Sequence, residues 1–237
     1  VTALLDATGR VLLLTGASGG IGQAVAAMYR AAGGTVAGLD LVAGPGAVAC
    51  DLTDEAAVAA AVADVVAAHG RIDAVVHCAG IVGAGALADT TLADWQRVMD
   101  ANLTSAFLLA RATAAALAAQ RGGLVFLSST NGRNGGSVLS GAAYACAKAG
   151  LINLTRYLAQ EWAAVGVRVN CVAPGPVDTP MLDRLGPDAR DALARTMLTG
   201  ALTSAAEVAA AIGFLLSDHA RSMTGTMLNP SGGKVLD

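Results

Sequence analysis

A tyrosine and a lysine, Tyr144 and Lys148, stand four residues apart at the start of a segment with helical periodicity, so one helical face carries both. A phenol with an ordinary pKa of about 10 scarcely ionises at neutral pH, and a neighbouring ammonium favours its phenolate. A fall of about three units asks for about 4 kcal/mol of differential stabilisation. Such a pair suits acid–base work at a carbonyl or alcohol oxygen. On its own such a pair is more often an interfacial tyrosine beside an exposed lysine. Ser128 and Ser129 end an apolar run upstream, where the carboxyl edge of a parallel sheet presents ligand-contacting groups. A hydroxyl there can hold a substrate oxygen beside Tyr144. Asn102, a poor helix former inside a long helical segment, suits the holding of a water or a backbone carbonyl, or simply a satisfied kink.

A second group of residues suits phosphate. Thr15-Gly-Ala-Ser-Gly-Gly-Ile-Gly22 lies between a short apolar run and a helical segment. Glycines there let the backbone turn sharply and approach a pyrophosphate, while the helix N-terminus offers unpaired N–H groups. Asp40 follows Gly22 by eighteen residues and closes the next strand. An acid at that place accepts both hydroxyls of an adenine ribose and repels a 2′-phosphate. No Arg or Lys stands at Ser18, Gly19, Leu41 or Val42, so NAD is favoured over NADP.

These residues need elements to hold them. Strands are predicted at residues 11–14, 35–39, 47–50, 72–77, 124–127, 167–172 and 226–229. Helices are predicted at 20–32, 54–68, 92–120, 143–164, 187–197 and 204–216, the last opened by a Ser204–Glu207 capping box. Alternation of this kind implies an α/β fold, a parallel sheet with helices on both faces. Only residues 41–46 join the second and third strands, which is short for a parallel crossover. No repeat or linker divides the chain, and residues 1–237 read as one domain.

Composition narrows the functions. Hydrophobic residues make up 54% of the chain and aromatics 3%, so small side chains must pack helices closely on the sheet. A net charge of −3 without a basic cluster argues against nucleic acid. No apolar run approaches the ~20 residues of a membrane span. Residues 1–10 contain Asp6 and Arg10 rather than a signal-peptide core, so a cytoplasmic protein is expected. Cys50, Cys78, Cys146 and Cys171 lie in apolar segments as reduced thiols, with a contact role open for Cys78. His69, His77 and His219 have no ligand spacing, so no metal is expected, and no G-x-S-x-G elbow supports hydrolysis.

In order and spacing these motifs resemble the short-chain dehydrogenase/reductase family across nearly the whole chain. The match runs through Thr15–Gly22, Asp40, Asp51, Ala79-Gly80, Asn102, Ser129, Tyr144-Ala-Cys-Ala-Lys148, Arg168-Val-Asn170, Pro174-Gly-Pro-Val177 with Thr179, and Gly232-Gly233. The resemblance implies a single-domain, doubly wound Rossmann fold and an NAD-dependent oxidoreductase that interconverts a secondary alcohol and its ketone by hydride transfer. It implies that Tyr144 is the acid/base, that Ser129 orients the substrate oxygen, and that Lys148 binds the nicotinamide ribose and lowers the Tyr144 pKa. Asn102 would hold a relay water. Gly16, Ser18, Gly19, Gly20, Ile21 and Gly22 would meet the pyrophosphate. Asp51 would meet the adenine, with Leu52, Cys78, Ala79 and Gly80 beside the adenosine. Pro174, Gly175, Val177 and Thr179 would lie against the nicotinamide, Val177 and Thr179 fixing its carboxamide.

Two departures stand out. His77-Cys78 replaces an Asn-Asn pair that ties neighbouring strands in the family. Ser129 precedes Tyr144 by fifteen residues, a slightly long gap that leaves Asn131 or Ser137 as alternative substrate contacts. Specificity is expected from residues 81–91, 131–141 and a lid at 181–200. Met181, Leu182, Leu185, Met197 and Leu198 would give the lid an apolar cover. Arg184, Arg190 and Arg195 read as a solvated helix face, with an acidic substrate as the rival. Ala-rich stripes on the two long helices suit pairing into the family's homotetramer, or burial within the chain itself. Rival functions are a 3-oxoacyl thioester reductase using NADPH and a dinucleotide-binding sensor that no longer turns over.

Overall fold

A computed structural model describes residues 4–236; residues 1–3, part of the stretch read for a signal peptide, and residue 237 lie outside it. The chain runs β1 (Val11–Thr15), α1 (Gly20–Ala31), β2 (Thr35–Asp40), β3 (Ala47–Ala49), α2 (Glu55–His69), β4 (Ala74–His77), α3 (Leu92–Met99), α4 (Ser105–Gln120) and β5 (Gly123–Leu127). It continues through α5 (Asn131–Asn134), α6 (Ala142–Glu161), β6 (Arg168–Val172), β7 (Val177–Asp178), α7 (Pro187–Ala194), β8 (Thr203–Ser204), α8 (Ala205–Leu216) and β9 (Met227–Leu228). Seven strands form one parallel sheet in the order β3-β2-β1-β4-β5-β6-β9. This is a doubly wound Rossmann-type fold. The chain winds outward from β1 to β3, then reverses and builds from β4 on the other side. β1 and β4 therefore flank a switch point, the crevice where such sheets bind ligands.

Strand periodicity divides the core in two. Val11 and Leu13 of β1 face one cluster with Val58 and Val62 of α2, Leu109 and Leu117 of α4, and Leu151 of α6. Leu12 and Leu14 face the other, with Val25 and Tyr29 of α1 and Val208 and Ile212 of α8. Every β1 residue is buried, as a strand covered on both faces requires. The Asp54 carboxylate caps α2 by accepting from Ala56 and Ala57, and Gly70 closes that helix with φ +73. The capping box at Ser204 and Glu207 is present.

The short crossover is achieved through glycine. β2 and β3 pair in parallel, with Gly38 opposite Ala47. A Cβ on Gly38 would lie 2.2 Å from the Gly46 carbonyl oxygen, and Gly46 itself turns with φ +78. The returning chain passes where only a residue without a side chain leaves room.

Three expectations are corrected. The helix predicted at 92–120 is continuous but not uniformly α: Asp100–Thr104 forms a π turn between α3 and α4. That helix is also long and apolar enough to cross a membrane, by length and composition, where the sequence reading saw no such stretch. Its apolar residues Ala106, Leu109 and Leu117 are buried against the sheet. Finally, α5 lies in a segment expected to be a loop, and the small β7–β8 pair is not among the predicted strands, Ser204 being read only as the opening of the helix 204–216.

Candidate active site

The residues meet at the carboxyl ends of β1, β4, β5 and β6. A cavity of about 890 Å³ opens there. Gly16, Ser18, Gly19, Gly20, Ile21 and Gly22 line one side, and Asn102, Ser129, Tyr144 and Lys148 the other. Cys78, Gly80, Pro174, Gly175, Val177 and Thr179 also reach its wall.

Four predicted cofactor contacts are not on that wall. Asp40 stands at the end of β2, its carboxylate accepting from the Ser18 N–H at 2.9 Å and from its own neighbour Leu41 N–H at 2.8 Å. Ala79 packs its backbone against Gly16. Asp51 is exposed and accepts from both the N–H and the hydroxyl of Thr53, which hold its carboxyl below the usual range. Leu52 is buried beside it in the core.

Close packing explains the phosphate-loop glycines. Gly16 has φ +65, and a Cβ on it would lie 2.7 Å from the Ala79 nitrogen. A Cβ on Gly22 would lie 2.0 Å from the Gly16 oxygen. No side chain caps α1, and no acid lies in its first turn. Its free N–H groups and partial positive charge therefore face the cavity, a ready anion site.

On the catalytic side, α6 sets Tyr144 and Lys148 on one face. The Lys148 ammonium lies 5.4 Å from the Tyr144 ring centroid and donates to the Leu127 carbonyl at 2.8 Å. Burial pushes Lys148 down to about 8. Burial also raises the Tyr144 phenol, while a hydrogen bond with Ser129 and the charge of Arg184 pull it back. The two serines turn to different partners. The Ser128 hydroxyl donates to the Lys148 carbonyl at 2.7 Å, tying β5 to α6, whereas the Ser129 hydroxyl accepts from the Asn131 N–H at 3.1 Å and acts on the Tyr144 phenol to lower it. Asn131 and Ser137, the alternatives, also line the cavity.

The π turn has a clear occupant. Asn102 is fully buried there, and its Nδ2 donates to the carbonyls of Ile81 and Val98, both at 2.8 Å. Its Oδ1 has no partner and lies 2.4 Å from where a Gly80 Cβ would stand. That same Cβ position is 3.4 Å from the Lys148 ammonium. An unpaired buried oxygen beside a cation, on the wall of a cavity, suits a polar ligand.

His77 takes up bonds the sequence did not reveal. Ser105 Oγ donates to the Ala101 carbonyl at 2.9 Å, so its oxygen is left to accept from His77 Nε2 at 3.3 Å. The other nitrogen, Nδ1, then accepts from the Thr15 hydroxyl at 2.8 Å. The ring thus ties β1, β4 and α4 behind the site. Burial pushes it down to about 3, the Lys148 charge adds to this, and the Asn102 backbone opposes it, so the ring is neutral. Burial pushes the Cys78 thiol up to about 12.

Sequence reasoning missed Lys234, which lines the cavity from the C-terminal segment and donates to Thr196 Oγ1 at 2.7 Å. A single lysine after a glycine pair carries no spacing signal. Of the lid arginines, Arg190 pairs with Asp178 and Asp183, while Arg184 reaches the cavity.

A Rossmann sheet with a glycine loop at its switch point and a Ser-Tyr-Lys group facing that loop defines a dinucleotide-dependent oxidoreductase site. The chain belongs to the short-chain dehydrogenase/reductase family, which binds a nicotinamide dinucleotide. The family profile described as enoyl-(acyl carrier protein) reductase matches residues 16–234. The 3-oxoacyl-[acyl-carrier-protein] reductase of Escherichia coli is 35% identical over 96% of this chain and 98% of its own length. The cis-4-hydroxycyclohexanecarboxylate dehydrogenase of Sinomonas cyclohexanicum is 38% identical over 94% of this chain and 96% of its own. A solved glucose/ribitol dehydrogenase of the family from Brucella melitensis superposes with a TM-score of 0.92 at 30% identity, covering 98% of this chain and 99% of that one.

Proposed function

We propose that this protein is an NAD-dependent dehydrogenase that interconverts a secondary alcohol and its ketone, with Tyr144 as the proton carrier. The observation that carries the reading is one cavity lined both by the phosphate loop and by Ser129, Tyr144 and Lys148, with the Lys148 ammonium 5.4 Å from the phenol ring centroid. A bound nicotinamide supplies the hydride donor or acceptor. The free N–H groups of α1 hold the pyrophosphate, and Asp40 accepts from the ribose hydroxyls. Ser129 orients the substrate oxygen. Tyr144, kept protonated by burial, gives its proton to a carbonyl oxygen in reduction and takes it back in oxidation. Lys148 places a positive charge beside the phenol, and the free Asn102 oxygen holds a water next to that ammonium.

Two measurements test this. Tyr144→Phe should lower kcat by at least about a thousandfold while dinucleotide affinity stays within a few-fold; a fully active variant overturns the mechanism. Separate fluorescence titrations should show NAD binding about tenfold or more tighter than NADP, with Asp40→Ala narrowing the gap. Tighter NADP binding rejects the part given to Asp40. The E. coli relative's name supports a second reading, reduction of 3-oxoacyl thioesters with NADPH. Preference for such thioesters with NADPH would establish it over the first. We also propose a homotetramer built on α4 and α6, where Phe107 and Tyr157 stand 46% and 62% exposed, and a cytoplasmic setting.

A further inference from the structure

Among the described residues, three charged side chains line the cavity, Lys148, Arg184 and Lys234, and no carboxylate does. The chain as a whole has 15 Lys and Arg against 18 Asp and Glu, so this imbalance is local. Lys148 is engaged beside the phenol. The pyrophosphate has its own donors in the α1 backbone. Arg184 and Lys234 are left over.

Arg184 lies between the turn Pro180–Leu182 and α7. The nearby acids Asp178 and Asp183 are both taken by Arg190, and no ion pair among the described residues includes Arg184. Lys234 has a neutral partner in Thr196, and no ion pair among the described residues includes it. Arg184 also acts close to the chemistry. Burial raises the Tyr144 phenol, and the Arg184 charge is one of the two influences that lower it.

We propose that Arg184, assisted by Lys234, forms an anion subsite, so that the substrate is a hydroxy acid and its product the keto acid, held by the carboxylate while the carbinol carbon faces Tyr144. This rests on the dehydrogenase reading above. A guanidinium presents a planar fork that meets a carboxylate with two parallel hydrogen bonds. Its place on the cavity wall that Tyr144 also lines favours an anion carried by the substrate itself. A phosphate on an acyl-carrier arm would sit at the far end of a long flexible chain. Arg190, fastened to two acids, anchors α7 and leaves Arg184 for the ligand.

The test uses matched pairs: short-chain and alicyclic hydroxy acids, each with its primary amide, assayed with NAD and NADP on the full-length protein. At least one acid should exceed its amide in kcat/KM by about tenfold or more. Arg184→Gln should bring that ratio toward one chiefly through KM, with a smaller effect from Lys234→Gln. Amides and neutral polyols used as well as acids overturn the proposal, as does a ratio that Arg184→Gln leaves in place. Calorimetric binding of the same acids to the dinucleotide-loaded protein separates this claim from the dehydrogenase reading. Acids that bind through Arg184 without turnover sink that reading and leave the anion subsite standing. Acids that do not bind sink the subsite alone. Preference for phosphopantetheine thioesters over their dephosphorylated forms, with no use of free acids, assigns the cations to a carrier and overturns the substrate class.

Discussion

His77 stands where β1, β4 and α4 meet, and both its ring nitrogens are bonded to hydroxyls. Its folded pKa of about 3 lies below the 6.5 of a free imidazole. Between those values the unfolded chain binds a proton that the folded chain refuses. The stability present in full above about pH 6.5 is therefore lost as pH falls toward about 3, at up to about 1.4 kcal/mol per unit. His77→Asn should flatten that dependence. Urea unfolding of both forms from about pH 7 to about pH 4 measures it, and equal slopes would show that His77 does not titrate this way. The catalytic pair was legible because one helical turn sets its geometry whatever the surroundings. The partners of His77 were not, being 62 and 28 residues away in sequence. Likewise, two adjacent serines differ only in which way each hydroxyl turns, and that depends on the Lys148 carbonyl across the gap.

Among the elements, α5 and α6 make a contact that the site depends on. A Cβ on Gly132 would lie 2.6 Å from the Lys148 carbonyl carbon and 2.7 Å from the Ala149 nitrogen, both backbone. Gly132→Ala should therefore push α6 away from its neighbour. The expected outcome is a loss of about 1–3 kcal/mol together with a fall in kcat as Lys148 shifts. Thermal unfolding and steady-state kinetics on one preparation check this, and an unchanged kcat would separate α5 from the chemistry. The alternation of strands and helices was readable from periodicity. Elements of two to four residues such as β7, β8 and α5 are too short to show a period. The π turn was half visible. Asn102 signalled an irregularity in a helix, but the carbonyls it answers belong to Val98 and to Ile81, and Ile81 lies in a separate segment.

At the scale of the molecule, a sheet covered on both faces leaves helix surfaces as its main exterior. Phe107 on α4 is exposed with the Arg111 guanidinium 5.2 Å from its ring centroid, and Tyr157 projects from α6. Sedimentation equilibrium should return about four times the 23.3 kDa chain mass. Phe107→Glu with Tyr157→Glu should yield smaller species, and a monomeric parent protein would end the tetramer proposal. The composition foretold such an architecture, since small apolar residues allow close helix contact. It left open whether those stripes face the chain's own sheet or another copy.

The taper of the sheet has a consequence for how copies can meet. Its outermost strands, β3 and β9, are three and two residues long, and β3 is folded back on by the Gly44–Ala47 bridge. A neighbour seeking to extend the ladder of this sheet finds few open rungs at either edge.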